Sequence, residues 1–245
     1  MSIELAVDSG SRAEDGAYLA LADAATAARD VESWVVIGGH MVNLHVLRSG
    51  VSIPLRATRD ADLAVELVTI REGDLLDRLR ALGYDNPRSG NRFERVADGT
   101  AATIDLLAPS FSTKHVPNLD AGPIAVDGIP ALHIALAADP MRIGLRVTLT
   151  DGRKVGALLA IPDTATAIAI KALAYHQRRA PRDAEDICRL LECGYAEGMR
   201  WPSGATFAAA ADVLCECFDR PGRALTGVSG NPARVRAMVR ALIPR

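Results

Sequence analysis

The sequence carries no excess of charge of either sign: 28 Lys and Arg against 30 Asp and Glu leave a formal net charge of −2. That excludes a global field able to gather nucleic acid, so any RNA contact must use a local basic face. No apolar run reaches membrane-spanning length without a charge, and the opening MSIELAVDSGSRAEDG holds acids where a signal peptide needs a basic segment. A cytoplasmic chain with no membrane partner is expected. Cysteines are few, and the spacing of Cys188, Cys193, Cys215 and Cys217 fits neither a zinc ribbon nor a secreted disulfide framework. They are expected to be thiols packed between helices. Lysine and aromatic residues are scarce while Ala, Arg, Asp and Gly abound, the bias of a high-GC bacterial source. Internal repeats and low-complexity linkers are absent. At 245 residues and 49% hydrophobic content the chain can bury the core of one large domain, or of a catalytic domain with a smaller helical one.

What is there centres on residues 34–67. Val35, Val36 and Ile37 form a short apolar run, Gly38-Gly39 breaks it, and Met41, Leu44, Leu47 and Arg48 then follow at helical spacing. This predicts strand, tight turn, helix. A glycine pair lets the backbone approach a ligand, and the N–H groups of the helix start favour an anion such as a triphosphate. In the next strand Asp60 and Asp62 are two apart and therefore share a face, while Leu63 and Val65 point to the core. Their mutual repulsion is relieved by a hard cation, which suits Mg²⁺ carrying substrate phosphates. The bland alternative is a solvated strand edge, which an isolated Asp-x-Asp would favour.

Around this segment a helix is expected over residues 18–29 and another over 72–82, ending at Gly83. Residues 91–97 and 101–107 flank Asp98-Gly99 and predict a hairpin. Its second strand holds Asp105 in an otherwise apolar run, costly unless paired or bound to metal; an exposed strand edge or a turn cap is the competing explanation. Residues 109–130, with Pro117, Gly122, Pro123 and Asp127-Gly128, read as loop. A second hairpin is expected from 142–149 and 155–161, then a helix capped by Asp163 or Thr164 and running through Gln177. On it Lys171 and Arg178 fall near one face after two turns. Pro181 separates a further helix that begins with Asp183 and Asp186, where acids meet the helix dipole. Residues 205–218 and 232–242 complete a helical C-terminal region. The arginines 220, 223, 234, 236, 240 and 245 make its end locally basic, as a solvated helix or as a grip for RNA or an acidic protein.

Taken together, Gly38-Gly39, Arg56-x-Thr58-x-Asp60-x-Asp62 and the stretch IKALAYHQRRAPRDAEDICRLL resemble the nucleotidyltransferase superfamily of DNA polymerase beta-like enzymes. Within it the chain is most similar to AbiEii-like nucleotidyltransferase toxins of bacterial toxin–antitoxin systems, including the MenT toxins. The resemblance implies an α+β fold, a polymerase beta-like mixed sheet flanked by helices with a C-terminal helical region. It divides the chain into a catalytic domain at 1–162 and a helical domain at 163–245 that completes the site. It implies catalytic roles for Asp60, Asp62, Asp105, Lys171 and Asp186, with Mg²⁺ held by Asp60, Asp62 and Asp105. It further implies nucleotide binding by Gly38, Gly39, His40, Arg56, Thr58, Lys171, Arg178 and Asp183. Asp183 and Asp186 compete for the family's second acidic position. Where other members have Gly-Ser, Gly39 stands here and leaves more of the holding to backbone donors. The implied reaction moves NMP from an NTP to an acceptor hydroxyl, with a tRNA 3′ end as acceptor and a separately encoded antitoxin as protein partner. A small-molecule nucleotidyltransferase of the aminoglycoside type and a non-catalytic nucleotide-binding module are the alternatives.

Overall fold

The computed structural model describes residues 3–86, 88–97, 99–112, 114–220, 223–225 and 231–244. A mixed sheet flanked by helices is followed by a helical C-terminal region, an α+β architecture. The chain opens with β1 (Ile3–Asp8), α1 (Arg12–Ala27), β2 (Trp34–Ile37), α2 (Gly38–Ser49) and β3 (Ala61–Val65). Two short helices follow, α3 (Leu67–Glu72) and α4 (Leu75–Ala81), then β4 (Arg92–Ala97), β5 (Thr100–Pro109), β6 (Val116–Asp120), β7 (Ala125–Ile129) and α5 (Leu132–Ala137). The hairpin β8 (Met141–Thr148) and β9 (Lys154–Ile161) leads into α6 (Thr164–Arg178), α7 (Pro181–Ala196), α8 (Ala205–Leu214) and α9 (Pro232–Leu242).

The larger sheet runs in the order β2-β3-β5-β7-β6. β4 lies antiparallel to the first half of β5, and β7 parallel to its end. β3 and β5 are parallel at the sheet's centre, where Leu63, Ile104 and Leu106 are fully buried. The smaller sheet, β1-β8-β9, packs its β9 side toward α1 and β2. One continuous apolar cluster joins α1, both sheets and the C-terminal helices. Among the described residues no helix is long and apolar enough to cross a membrane. All four cysteines are thiols; Cys188, Cys193 and Cys217 are buried between helices.

Several elements depart from the sequence expectations for identifiable reasons. α1 begins at Arg12, well ahead of residue 18, because Ser11 caps it and accepts from the Glu14 amide at 3.3 Å. The helix expected over 72–82 is interrupted at Gly73, whose extended backbone separates α3 from α4. Residues 109–130 are not a loop but hold β6 and β7. Pro117 is tolerated because β6 is the edge strand, where a missing donor breaks no central ladder. Gly122, at φ +84, makes the turn between the two strands. Asp127-Gly128 is not a turn: it lies within β7, where glycine lets Val116 and Ser110 approach a position that a Cβ would fill at 3.3–3.4 Å. Both expected hairpins form; Asp98 of the first turn lies outside the described residues. α6 takes Asp163 as its cap, which accepts from the Thr166 amide at 2.8 Å.

The basic C-terminal end is partly neutralised within the fold. Arg234 forms a two-point pair with Glu192 at 2.5 and 2.6 Å, and Arg240 pairs with Asp219. Arg245 and the side chain of Arg223 lie outside the described residues.

Candidate active site

Sheet register brings the first carboxylates together. In the parallel pair β3 and β5, Asp62 stands directly opposite Asp105, and on its other side Asp62 pairs with Ile37 of antiparallel β2. Asp60 precedes β3 by one residue and shares the face of Asp62, because the buried Ala61 and Leu63 take the other. Three carboxylates therefore crowd one end of the sheet. Burial, reinforced by the charges of Asp60 and Asp105, pushes the Asp62 carboxyl up to about 7.

The glycine pair accommodates these neighbours sterically. Gly38 has φ +66, and a Cβ there would lie 1.7 Å from Asp62 Oδ2. At Gly39 a Cβ would lie 2.2 Å from Thr58 Oγ1 and 3.1 Å from the Arg56 guanidinium. A side chain at either glycine would therefore collide with these neighbours. Gly39→Ser is expected to displace Thr58 and Arg56 and to destabilise the fold by about 1–3 kcal/mol, the scale of overpacking. Urea unfolding would measure it, and unchanged stability would contradict this packing account.

Arg56 is held from two directions. Asn43 of α2 donates from Nδ2 to the Arg56 carbonyl at 2.9 Å and accepts from the Arg56 amide at 3.0 Å. From the other side the Arg56 guanidinium donates to Asp186 Oδ2 at 2.6 Å. Asn43 was missed in the sequence; its signal is a polar residue on the buried face of an apolar helix. Asp186, fully buried, also receives Lys171 Nζ at 2.8 Å, while its second oxygen has no partner. Asp183, one turn earlier on α7, takes Arg178 in a two-point pair at 2.7 and 2.9 Å and lies 3.7 Å from Lys171. The two candidate acids thus differ in placement. Asp183 lines the cleft, whereas Asp186 sits behind it and holds Arg56 and Lys171 together.

Between the sheet and α6 lies a cleft of about 780 Å³. Gly38, Gly39, Arg56, Asp60, Asp62, Asp105, Lys171, Arg178 and Asp183 all line it. Three of the expected residues do not: Asp186, which sits behind it, and His40 and Thr58. His40 is buried against Tyr18, its ring 5.4 Å away, and burial pulls its pKa down to about 4, so it is neutral. His40 and Thr58 instead border a separate cavity of about 60 Å³ beside α1, where His40 Nε2 and Thr58 Oγ1 have no partner. Neither reaches the cleft in this arrangement.

The cleft also holds residues that sequence reasoning passed over. Asp127, opposite Leu107 in the β5–β7 pair, adds a fourth acid near the same end of the sheet and lies 3.5 Å from His115 Nε2. Lys114 and Arg182 add cations to its rim. Arg92 lies opposite Asp105 on β4 and spans both of its oxygens, Nε to Oδ1 at 2.9 Å and Nη2 to Oδ2 at 2.7 Å. The same Nη2 reaches Asp60 Oδ2 at 3.4 Å. The Asp105 carboxylate pushes the Arg92 pKa up, further toward the charged form. Alternation could have found Arg92, since it faces the same way as Glu94, but pairing it with Asp105 required the hairpin register. Among the described residues no group of three His, Cys, Asp or Glu side chains is already drawn together as around a metal ion.

The cleft is therefore two-sided, with carboxylates on the sheet and cations on α6, α7 and the segment before β3. Comparison with known proteins adds no assignment: no protein-family model matches the chain, and no curated protein matches it.

Proposed function

We propose that this protein is a Mg²⁺-dependent nucleotidyltransferase of polymerase beta-like fold, an enzyme resembling the AbiEii-like and MenT-like toxins of toxin–antitoxin systems. The observation that carries the reading is the facing of Asp60, Asp62 and Asp105 on the sheet by Lys171, Arg178 and Arg56 across one cleft. A magnesium nucleotide has that same polarity, a cation bound to a chain of phosphates. The carboxylates fit a divalent cation: burial, and then the charges of Asp60 and Asp105, raise the pKa of Asp62, and a guanidinium already stands between Asp60 and Asp105. Asp60 and Asp62 would hold the ion, with Asp105 alongside; bound there, it would neutralise phosphate charge and favour ionisation of the acceptor hydroxyl.

The chain's own residues supply the rest. The amides that open α2 at Gly38 and Gly39 would supply donors to the triphosphate, while the glycines leave room for Asp62, Thr58 and Arg56 beside it. Lys171, Arg178 and Arg56 stabilise negative charge that spreads over the transferring phosphoryl group. Their own orientation is fixed by Asp183 and Asp186, so little reorganisation is needed when the acceptor oxygen attacks the α-phosphate in line and pyrophosphate leaves. Lys114 and Arg182 at the rim give a polynucleotide acceptor local cations that the whole chain's charge does not. A tRNA 3′ end is the proposed acceptor, and a separately encoded antitoxin the proposed protein partner.

The test is incorporation of each of the four α-³²P-labelled NTPs with Mg²⁺, with and without total tRNA, by wild type and Asp60→Asn. Label on tRNA with the wild type, lost in the variant, is the expected result. Label on protein, or turnover only with an aminoglycoside-type acceptor, replaces tRNA as the substrate. Nucleotide binding with no transfer to any acceptor leaves a binding module in place of an enzyme.

A further inference from the structure

The carboxylate nearest the sheet's centre is already spoken for. Asp105 has a side chain only 9% exposed, and a buried carboxylate without partners is costly. Arg92 supplies partners for both oxygens from the adjacent strand, and the planar guanidinium matches a carboxylate in this two-point arrangement. Its reach to Asp60 Oδ2 places one positive charge between two of the three acids. A divalent ion seated on Asp105 would have to take oxygens that now accept two charge-assisted hydrogen bonds. Asp62 lies on the far side of Asp105 from β4, so its carboxylate is left to the cleft with Asp60.

We propose that Arg92 takes the place of one divalent cation, so that the protein binds a single such ion, on Asp60 and Asp62, while Asp105 serves to hold the arginine. The inference rests on the transferase reading above and departs from it in giving Asp105 to a side chain. Arg92 is a positioning residue in this scheme, and its built-in charge offsets the third carboxylate without an ion from solution. Because half of the Arg92 side chain is exposed, shortening it leaves the core intact.

The experiment counts bound Mn²⁺ per folded chain from the free-ion electron paramagnetic resonance signal, with Mn²⁺ alone and no nucleotide. Wild type, Arg92→Gln and Arg92→Lys are compared, each first checked for an unchanged circular dichroism spectrum. The expected saturation values are one ion for wild type, two for Arg92→Gln and one for Arg92→Lys, which keeps the charge. Two ions on the wild type would overturn the inference and leave the transferase reading standing. One ion on Arg92→Gln would also overturn it, because the count would then owe nothing to the arginine. No bound ion on the wild type would remove the cation from both.

Discussion

Asp62→Asn is expected to abolish nucleotide transfer and, above pH 7, to make the protein more stable. The loss of transfer should be at least about 10³-fold, the scale on which removing a group that supports transition-state charge acts. The gain in stability follows from the Asp62 pKa. Its folded-state value, about 7, lies above the 3.8 of an unperturbed aspartate, through burial and then repulsion from Asp60 and Asp105. The folded protein keeps a proton that the unfolded chain releases as pH rises from about 4 to about 7, so stability falls across that window and stays low above it. An asparagine carries no such penalty. With allowance for solvent entering through the cleft, the gain at pH 8 is about 1–3 kcal/mol, or several degrees in Tm. Thermal melts at pH 5 and pH 8 would measure it. Millimolar Mg²⁺ should narrow the gap at pH 8 by favouring the ionised carboxylate of the wild type. Equal Tm differences at the two pH values would sink the argument.

Asp186→Ala has the opposite character, with a large expected cost to stability. Asp186 is fully buried and is the shared anion of Arg56 and Lys171, at 2.6 and 2.8 Å. Removing one partner of a buried charge network leaves the others unpaired in low dielectric, typically at about 3–5 kcal/mol. Here two cations are left facing each other. Urea unfolding should show that loss, and nucleotide affinity should fall with it because Lys171 and Arg56 are no longer aimed. Asp183→Ala should cost much less, since the Arg178 side chain that it holds is 61% exposed and can turn to water. Comparable losses for the two alanine variants would refute the division of labour between the acids.

The parts of the site that were legible in sequence are those set by local chemistry. Alternation put Asp60 and Asp62 on one face, the glycine pair marked the turn between β2 and α2, and helical spacing set Lys171 near Arg178. Asp105 was legible as a charge in an apolar strand, although nothing local showed that its partner is Arg92. That contact depends on the register of β4 against β5, which alternation alone leaves open. Asp127 was hidden by Asp-Gly, a pair that signals a turn by composition but here lets two strands pack closely. His40 follows the glycine pair directly in sequence, yet the helical rotation carries it away from the cleft and into the packing against α1. The distinct placements of Asp183 and Asp186 depend on how α7 sits against α6 and Arg56, a tertiary fact with no counterpart in spacing.

The tether between Arg56 and Asp186 also bears on when the site comes into being during synthesis. Its two ends are 130 residues apart in the chain, and the segment that carries Arg56 and Thr58 lies in neither helix nor strand. Asn43 can grip that segment early, but the opposing anchor and Lys171 arrive only with α6 and α7. Contacts of such long separation form late, after their loop-closure cost has been met. A growing chain whose sheets have already folded therefore still lacks Lys171, Arg178 and Arg182 in its cleft. If the proposed transferase reading holds, chain order alone would complete its site only after α7 has emerged from the ribosome.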